Sequence, residues 1–154
     1  MKLVSLQDPI LRQKAESVSN IDQYIKDCMI EMYDLMVVSG GIGLAAPQVG
    51  IGKRMIVIDA ASEGLIQVIP KSERKKLFMI NPLIISFYGN DTYAEEGCLS
   101  VPEKTIMVPR KQGIICHYYD LDNQKKIIRT DSFLSRIIQH ECDHLDGKLI
   151  IDYA

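Results

Sequence analysis

The chain has 154 residues, of which 47% are hydrophobic and 25% charged, the usage of one globular domain with one core and not of a disordered segment. A net charge of −2 and a pI near 5.9 exclude the electrostatic footprint of a protein that coats nucleic acid or an anionic membrane, so neither kind of binding is expected. A single domain over residues 1–154 is the expectation.

The opening residues, Met1 to Pro9, hold no sustained apolar stretch of the signal-peptide kind before Asp8 and Pro9. No apolar run approaches the roughly 18 residues that a membrane-spanning helix requires. The four cysteines, Cys28, Cys98, Cys116 and Cys142, show neither CxxC spacing nor the density of a disulfide scaffold. Reduced thiols in a cytoplasmic protein are expected, which leaves a thiolate available as a metal ligand.

Ser19 or Asn20 is read as the cap of a first helix, in which Ile21, Ile25, Cys28, Met32, Leu35 and Met36 share one face. Gly40-Gly41 ends it. Gly40 to Gly50 is a run of small, uncharged residues ending near Gln48. It lacks the pattern and context of a phosphate cradle. A packing turn and a backbone wall with one amide donor fit it equally. Arg54 to Ala60 reads as a buried strand, Ser62 to Lys76 as an exposed loop, and Leu77 to Tyr88 as two short strands or one bent strand around Asn81-Pro82. Gly89-Asn90 reads as a turn and Glu95 to Pro102 as an irregular loop. Ile106 to Pro109, Gly113 to Tyr119 and Lys125 to Arg129 are predicted strands, the last two joined by a turn at Asp120 to Asn123. Asp131 or Ser132 then caps a helix carrying Phe133, Leu134, Ile137, Ile138 and Leu145 on helical spacing, with Gly147 as its C′ residue. Helix, several strands and helix, in that order, predict an α+β fold of antiparallel sheets packed around the C-terminal helix, with a further N-terminal helix.

That last helix holds His140-Glu141-Cys142-Asp143-His144, an HExxH sequence. Residues four apart lie one turn above each other, so two imidazoles can bite one ion while Glu141 reaches a water beside it. The alternative, two incidental histidines on a solvated face, is weakened because the chain has only three histidines and the flanking residues are apolar. A catalytic ion needs a third protein ligand and an open position. The residues after His144 include no His or Glu, so the third ligand is sought upstream, among Cys98, Cys116, His117, Glu95 and Glu96. Cys98 follows Gly97 in a predicted loop, whereas Cys116-His117 lies in an alternating strand with one side chain facing the core. Spacing alone does not choose among them. Cys28 and Cys142 read as small core hydrophobes.

Three blocks together resemble one family. Gly41-Ile42-Gly43-Leu44-Ala45-Ala46-Pro47-Gln48, Glu96-Gly97-Cys98-Leu99-Ser100 and Gln139-His140-Glu141-Cys142-Asp143-His144-Leu145-Asp146-Gly147 look like the signature motifs of peptide deformylases, in the family's order. Asp8 to Arg12 is similar to the family's opening segment, so the likeness spans nearly the whole chain.

The resemblance implies removal of the N-formyl group from the initiator methionine of new polypeptides, releasing formate. It implies Cys98, His140 and His144 as ligands of one divalent ion, Fe2+ in the family, with Zn2+, Ni2+ or Co2+ also suited to the donor set. Glu141 would be general base and then acid, and Gln48 with the Leu99 backbone N–H would stabilise the oxyanion. The backbone around Ile42, Gly43 and Gly97 would pair with an extended substrate. Ile42, Phe133 and Ile137 would take the methionine side chain, and Glu96 with Arg110 would form a supporting ion pair near the pocket.

Thr105 stands where some members carry an arginine that holds the substrate backbone, which weakens the expected grip on longer peptides. The chain ends at Ala154 without the C-terminal helix that some members use at the ribosome, so the expected partners are formylmethionyl nascent peptides, with no more than a transient ribosome contact. A monomer is expected, in the cytoplasm or of phage or organelle origin. Two other readings stay open on residues alone: a general HExxH metallopeptidase with a carboxylate or His as third ligand, and a structural metal module closed by a fourth ligand such as His117. An inactive homologue is a third, opposed by the intact Gln48, Cys98 and Glu141.

Overall fold

The computed structural model describes residues 1–154. Two helices, α1 (Gln23–Val38) and α2 (Phe133–Leu145), accompany five strands: β1 (Gly43–Ala45), β2 (Met55–Asp59), β3 (Lys76–Cys98), β4 (Val101–Tyr119) and β5 (Lys125–Thr130). The strands form one antiparallel sheet in sequence order, giving the α+β architecture expected.

The two helices divide the core between them. On β2, Met55 and Val57 pack with Met29, Met32 and Met36 of α1. Ile56 and Ile58 point the other way, toward Leu134, Ile138 and Leu145 of α2. Alternation with period two thus feeds two cores from one strand, and β2 reads as an unbroken apolar run because both its faces are covered. Each fully buried Ile or Met contributes on the order of 1.5–3 kcal/mol of transfer free energy. The open edge at β5 carries Lys125, Lys126 and Arg129, charges that oppose pairing with another chain.

Several local signals resolve differently from expectation. Helix α1 starts at Gln23, and its cap is Asp22, whose carboxylate accepts the Ile25 N–H at 3.0 Å. Ser19 and Asn20 lie before it. Gly89-Asn90 is not a chain reversal but a register shift between Tyr88 and Asp91 inside the continuous β3, with Gly89 at φ 79°. Ile106–Pro109 and Gly113–Tyr119 belong to the single strand β4. The segment from Glu95 to Pro102 is the tip of the β3–β4 hairpin, where Cys98 pairs with Val101. The 62–76 segment has exposed stretches yet is anchored by buried Leu65 and Ile69, and Glu73 accepts the Thr130 and Ser132 hydroxyls at 2.7 Å each.

That anchor leads straight into α2. Ser132 caps the helix by accepting the Leu134 N–H at 3.2 Å. The far end closes in a Schellman motif, with Gly147 N–H donating to His144 O and Lys148 N–H to Asp143 O. Ala15 N–H and Arg54 both donate to Leu145 O, so the last turn is satisfied by other parts of the chain as well.

Gly147 adopts φ 74°, and a Cβ there would lie 2.6 Å from the Arg12 carbonyl oxygen. Gly147→Ala is therefore expected to lower stability by roughly 1–3 kcal/mol, read as a lower urea midpoint with an unchanged m-value.

Candidate metal centre

The helical repeat puts His140 and His144 on one face of α2, their rings edge to face with centroids 5.1 Å apart. The hairpin tip lays Cys98 against them, Sγ lying 3.3 Å from His144 Nε2. One donor atom from each of Cys98, His140 and His144 lies within 4.8 Å of the others, and the group includes no fourth His, Cys, Asp or Glu. Cys116 is fully buried in the core and His117 is outside the donor group, so the structure brings neither to the centre.

The donors suit a divalent ion of intermediate softness, one sulfur and two imidazole nitrogens. Burial works against a charged His140, while its hydrogen bonds to Cys98 and Glu96 raise it, to about 10. Burial first, and then His140, hold His144 down at about 3. Glu141 sits beside them with Oε1 3.9 Å from His140 Nε2. Burial pushes its carboxyl up to about 7. Its Oε2 has no hydrogen-bond partner although it is buried, nor has His144 Nδ1, and an unsatisfied oxygen there suits a group that works on a proton.

Gln48 is fixed by its neighbours. It lies in the 3-10 turn Ala46–Val49, where its Oε1 accepts the Ala45 N–H at 2.9 Å. Its Nε2 donates to Ser100 Oγ at 3.0 Å and points to Cys98 Sγ at 3.6 Å. The amide is thereby oriented with its donor end toward the thiol. The small-residue run explains the closeness: a Cβ on Gly43 would lie 2.6 Å from Glu141 Oε1, and one on Gly41 2.8 Å from Leu99 Cδ1.

A cavity of about 620 Å3 opens over the centre. Ile42, Phe133 and Ile137 lie on its wall, as do Gly43, Gly97 and Leu99. Gln48, Glu96, Cys98, His140 and Glu141 also face it, and Glu103, Lys104 and Thr105 are at its lining too. Arg110 does not line this cavity. It sits behind Glu96 and borders a second cavity of about 560 Å3.

Glu96 and Arg110 do form a buried ion pair, bidentate at 2.9 and 3.0 Å. Glu96 Oε1 also accepts from His140 Nδ1 at 2.9 Å. That bond fixes the tautomer, leaving Nε2 of His140 to face the donor cluster. Burial would raise the Glu96 carboxyl, but hydrogen bonds from His140 and Arg110 outweigh it and hold it at about 2. The ion pair expected near the pocket is thus present, with Glu96 at the cavity wall and bonded to His140, and Arg110 behind it.

Four further residues escape the sequence reading. Ser100 holds Gln48. Asp143 accepts from Arg110 Nη1 at 2.6 Å and from the Tyr153 hydroxyl at 2.7 Å. Arg136 donates to Glu96 Oε2 at 2.7 Å. Arg136 had a legible signal: a charged residue one turn before His140, on a stretch of Leu134, Ile137 and Ile138. The others depend on contacts between distant segments.

A helix-borne HExxH facing a thiol and a side-chain amide across an open cavity defines a metal-dependent hydrolase. Comparison with known proteins makes the class specific. The family model described as polypeptide deformylase matches residues 1–154. The peptide deformylase of Endomicrobium trichonymphae is 43% identical over 153 residues, covering 99% of this chain and 85% of that one. The crystal structure of peptide deformylase from Thermotoga maritima superposes with a TM-score of 0.88 at 34% identity, covering 99% of this chain and 95% of that one. A Met-Ala-Ser-bound class I type b peptide deformylase from Acinetobacter baumannii gives a TM-score of 0.91 at 30% identity, covering 100% and 98%. The chain belongs to the peptide deformylase family.

Gly43→Ala pushes directly on the Glu141 carboxylate. The expected outcome is a turnover at least tenfold lower with the metal content unchanged, measured by formate release beside metal analysis on the same samples; a drop of that size corresponds to about 1.4 kcal/mol in the barrier.

Proposed function

We propose that this chain removes the N-formyl group from the N-terminal methionine of newly synthesised polypeptides and releases formate. One observation carries the reading: the HExxH face of α2, the hairpin thiol and the Gln48 amide converge on a single cavity whose wall includes Ile42, Phe133 and Ile137. An apolar pocket beside the reacting centre suits a methionine side chain. The Met-Ala-Ser bound to the Acinetobacter baumannii relative, a peptide that begins with methionine, supports the same substrate class.

Cys98, His140 and His144 would hold one divalent ion, Fe2+ by the family likeness, with Zn2+, Ni2+ or Co2+ also matching the donor set. When bound, such an ion supplies Lewis acidity to water and to the formyl oxygen. Glu141, poised near 7 by burial, takes the proton from the attacking water and returns it to the leaving amine. The Gln48 amide and the Leu99 N–H donate to the oxygen on which charge develops; losing one such donor costs roughly 3–4 kcal/mol of barrier lowering. The backbone of Ile42, Gly43 and Gly97 borders the cavity, where an extended peptide pairs in strand fashion. Glu96, backed by Arg110, orients His140 from behind.

The partners are formylmethionyl nascent chains, met in transient contact with the ribosome by a cytoplasmic monomer. No helix is long and apolar enough to cross a membrane.

The direct test pairs formylated and unformylated methionyl peptides with anaerobically purified, iron-loaded protein. Formate is expected from the first peptide and no cleavage of the second. Stoichiometric iron with no formate would reject the reading, and cleavage of internal peptide bonds would favour a general metallopeptidase.

Two substitutions separate holding the ion from moving the proton. Glu141→Ala is expected to keep the metal and lose turnover by at least 100-fold, the lower range for a general acid–base group. Cys98→Ala is expected to lose the metal in chelator competition. Normal turnover in the first, or unchanged binding in the second, moves the role to another side chain.

A further inference from the structure

Arg136 lies on α2 one turn before His140, with its side chain only 7% exposed. A guanidinium in so apolar a stretch is costly unless its donors are met. Here Nη1 donates to Glu96 Oε2 at 2.7 Å and to Val108 O at 2.8 Å, and Nη2 to Thr92 O at 2.8 Å and Thr92 Oγ1 at 2.9 Å. These bonds run to β3 and β4, although the side chain borders the cavity.

We propose that Arg136 is a positioning residue that acts through Glu96 to fix the His140 imidazole and strengthen it as a metal ligand. The inference rests on Cys98, His140 and His144 being the ligand set.

The geometry of Glu96 carries the argument. Its Oε1 serves His140 Nδ1 and Arg110 Nη2, while its Oε2 serves Arg110 Nε and Arg136 Nη1. Arg110 alone is a divided partner, since its Nη1 is drawn to Asp143 at 2.6 Å. Arg136 holds the other side of Oε2 and opposes rotation of the carboxylate. Because Arg136 and His140 are neighbours on one helix face, Glu96 spans both, and the three side chains close a ring through a single turn of backbone. An imidazole in such a ring has one orientation.

Charge adds a second effect. Glu96 and Asp143 are matched by Arg110 and Arg136, so the cluster behind His140 is formally neutral. Removing Arg136 takes a donor from Glu96 Oε2 and leaves one negative charge in excess, which by itself would draw a cation in, so a weaker site in the variant reports lost orientation and not lost charge. A residue that only stapled α2 to the sheet would affect folding and leave the ion alone. A positioning residue changes the affinity for the ion, as partners of metal-bound histidines do by about 10–100-fold.

The test uses Co2+ as probe, with chelator competition for affinity and the visible spectrum for ligand geometry. Arg136→Met is expected to weaken Co2+ binding tenfold to hundredfold and to shift the cobalt bands, and Arg136→Lys to recover part of the loss. In a Glu96→Gln background, Arg136→Met should weaken binding no further, since the path runs through that carboxylate. Should Arg136→Met not fold, Arg136→Lys compared in the two backgrounds gives the same reading: loss in the first alone supports the inference. Unchanged affinity and bands in a folded Arg136 variant, or losses that multiply with Glu96→Gln, overturn it. A parent chain that binds no Co2+ overturns the ligand assignment and the inference together, whereas tight parent binding with indifferent Arg136 variants overturns the inference alone.

Discussion

A buried carboxylate joins the two halves of the site. Glu96 stands on β3 two residues before Cys98, and its partners Arg136 and His140 stand on α2. Through it, the hairpin that carries the thiol and the helix that carries the imidazoles are held in one register. Such a cluster is weak evidence for stability, because taking charges from water costs several kcal/mol apiece before their attraction offsets it. Orientation is a better account of it here. Both carboxylate oxygens are saturated, and the bond to His140 Nδ1 leaves Nε2 free to ligate.

The elements that bring these groups together are rigid for reasons unconnected with chemistry. Helix α2 is capped at both ends, packed along Leu134, Ile138 and Leu145, and tied to β4 where Gln139 donates to Lys111 O at 2.9 Å. The β1–β2 pair is covered on both faces, by α1 and by α2. Gln48 follows β1 directly, so the amide inherits the placement of a strand with no exposed face. Sites built on such elements keep sub-ångström geometry better than sites on loops. The cavity mouth is less confined, with Glu103, Lys104 and Thr105 exposed at its rim.

Local periodicity made part of this visible in the sequence. An HExxH pair on an apolar helix shows itself because i and i+4 are neighbours whatever the rest of the chain does. The alternation along β2 and the Ser132 and Gly147 helix ends are equally local. The β3–β4 hairpin was harder. Asn81, Gly89, Gly97 and Pro109 read as breaks, yet in the fold they fall inside long strands, with register shifts near the first three. A bulge and a turn share the same residue types, and only pairing with a distant strand tells them apart. Cys98 therefore reads as a loop residue in the sequence, and likeness to a family is what singles it out among the candidate ligands. Glu96 shows the same limit: its partner Arg110 is fourteen residues away in sequence, and nothing local says that the pair stands behind His140.

Two separate segments therefore have to meet before any ion can be held, the hairpin tip and the last helix, and the turn carrying Gln48 has to join them to complete the cavity wall. In an unfolded chain Cys98 and His144 are separated by 46 residues, and loop closure over that span opposes ligation. Folding closes the loop in advance, so ion binding draws on the stability of the native state and adds to it in turn. The glycines at 41 and 43 set how near the turn can come. A methyl group on Gly43 would meet Glu141 Oε1 at 2.6 Å, so contact with the Glu141 carboxylate requires a residue with no side chain on β1. The run of small residues is thus the shape that close approach imposes on the wall facing the ion.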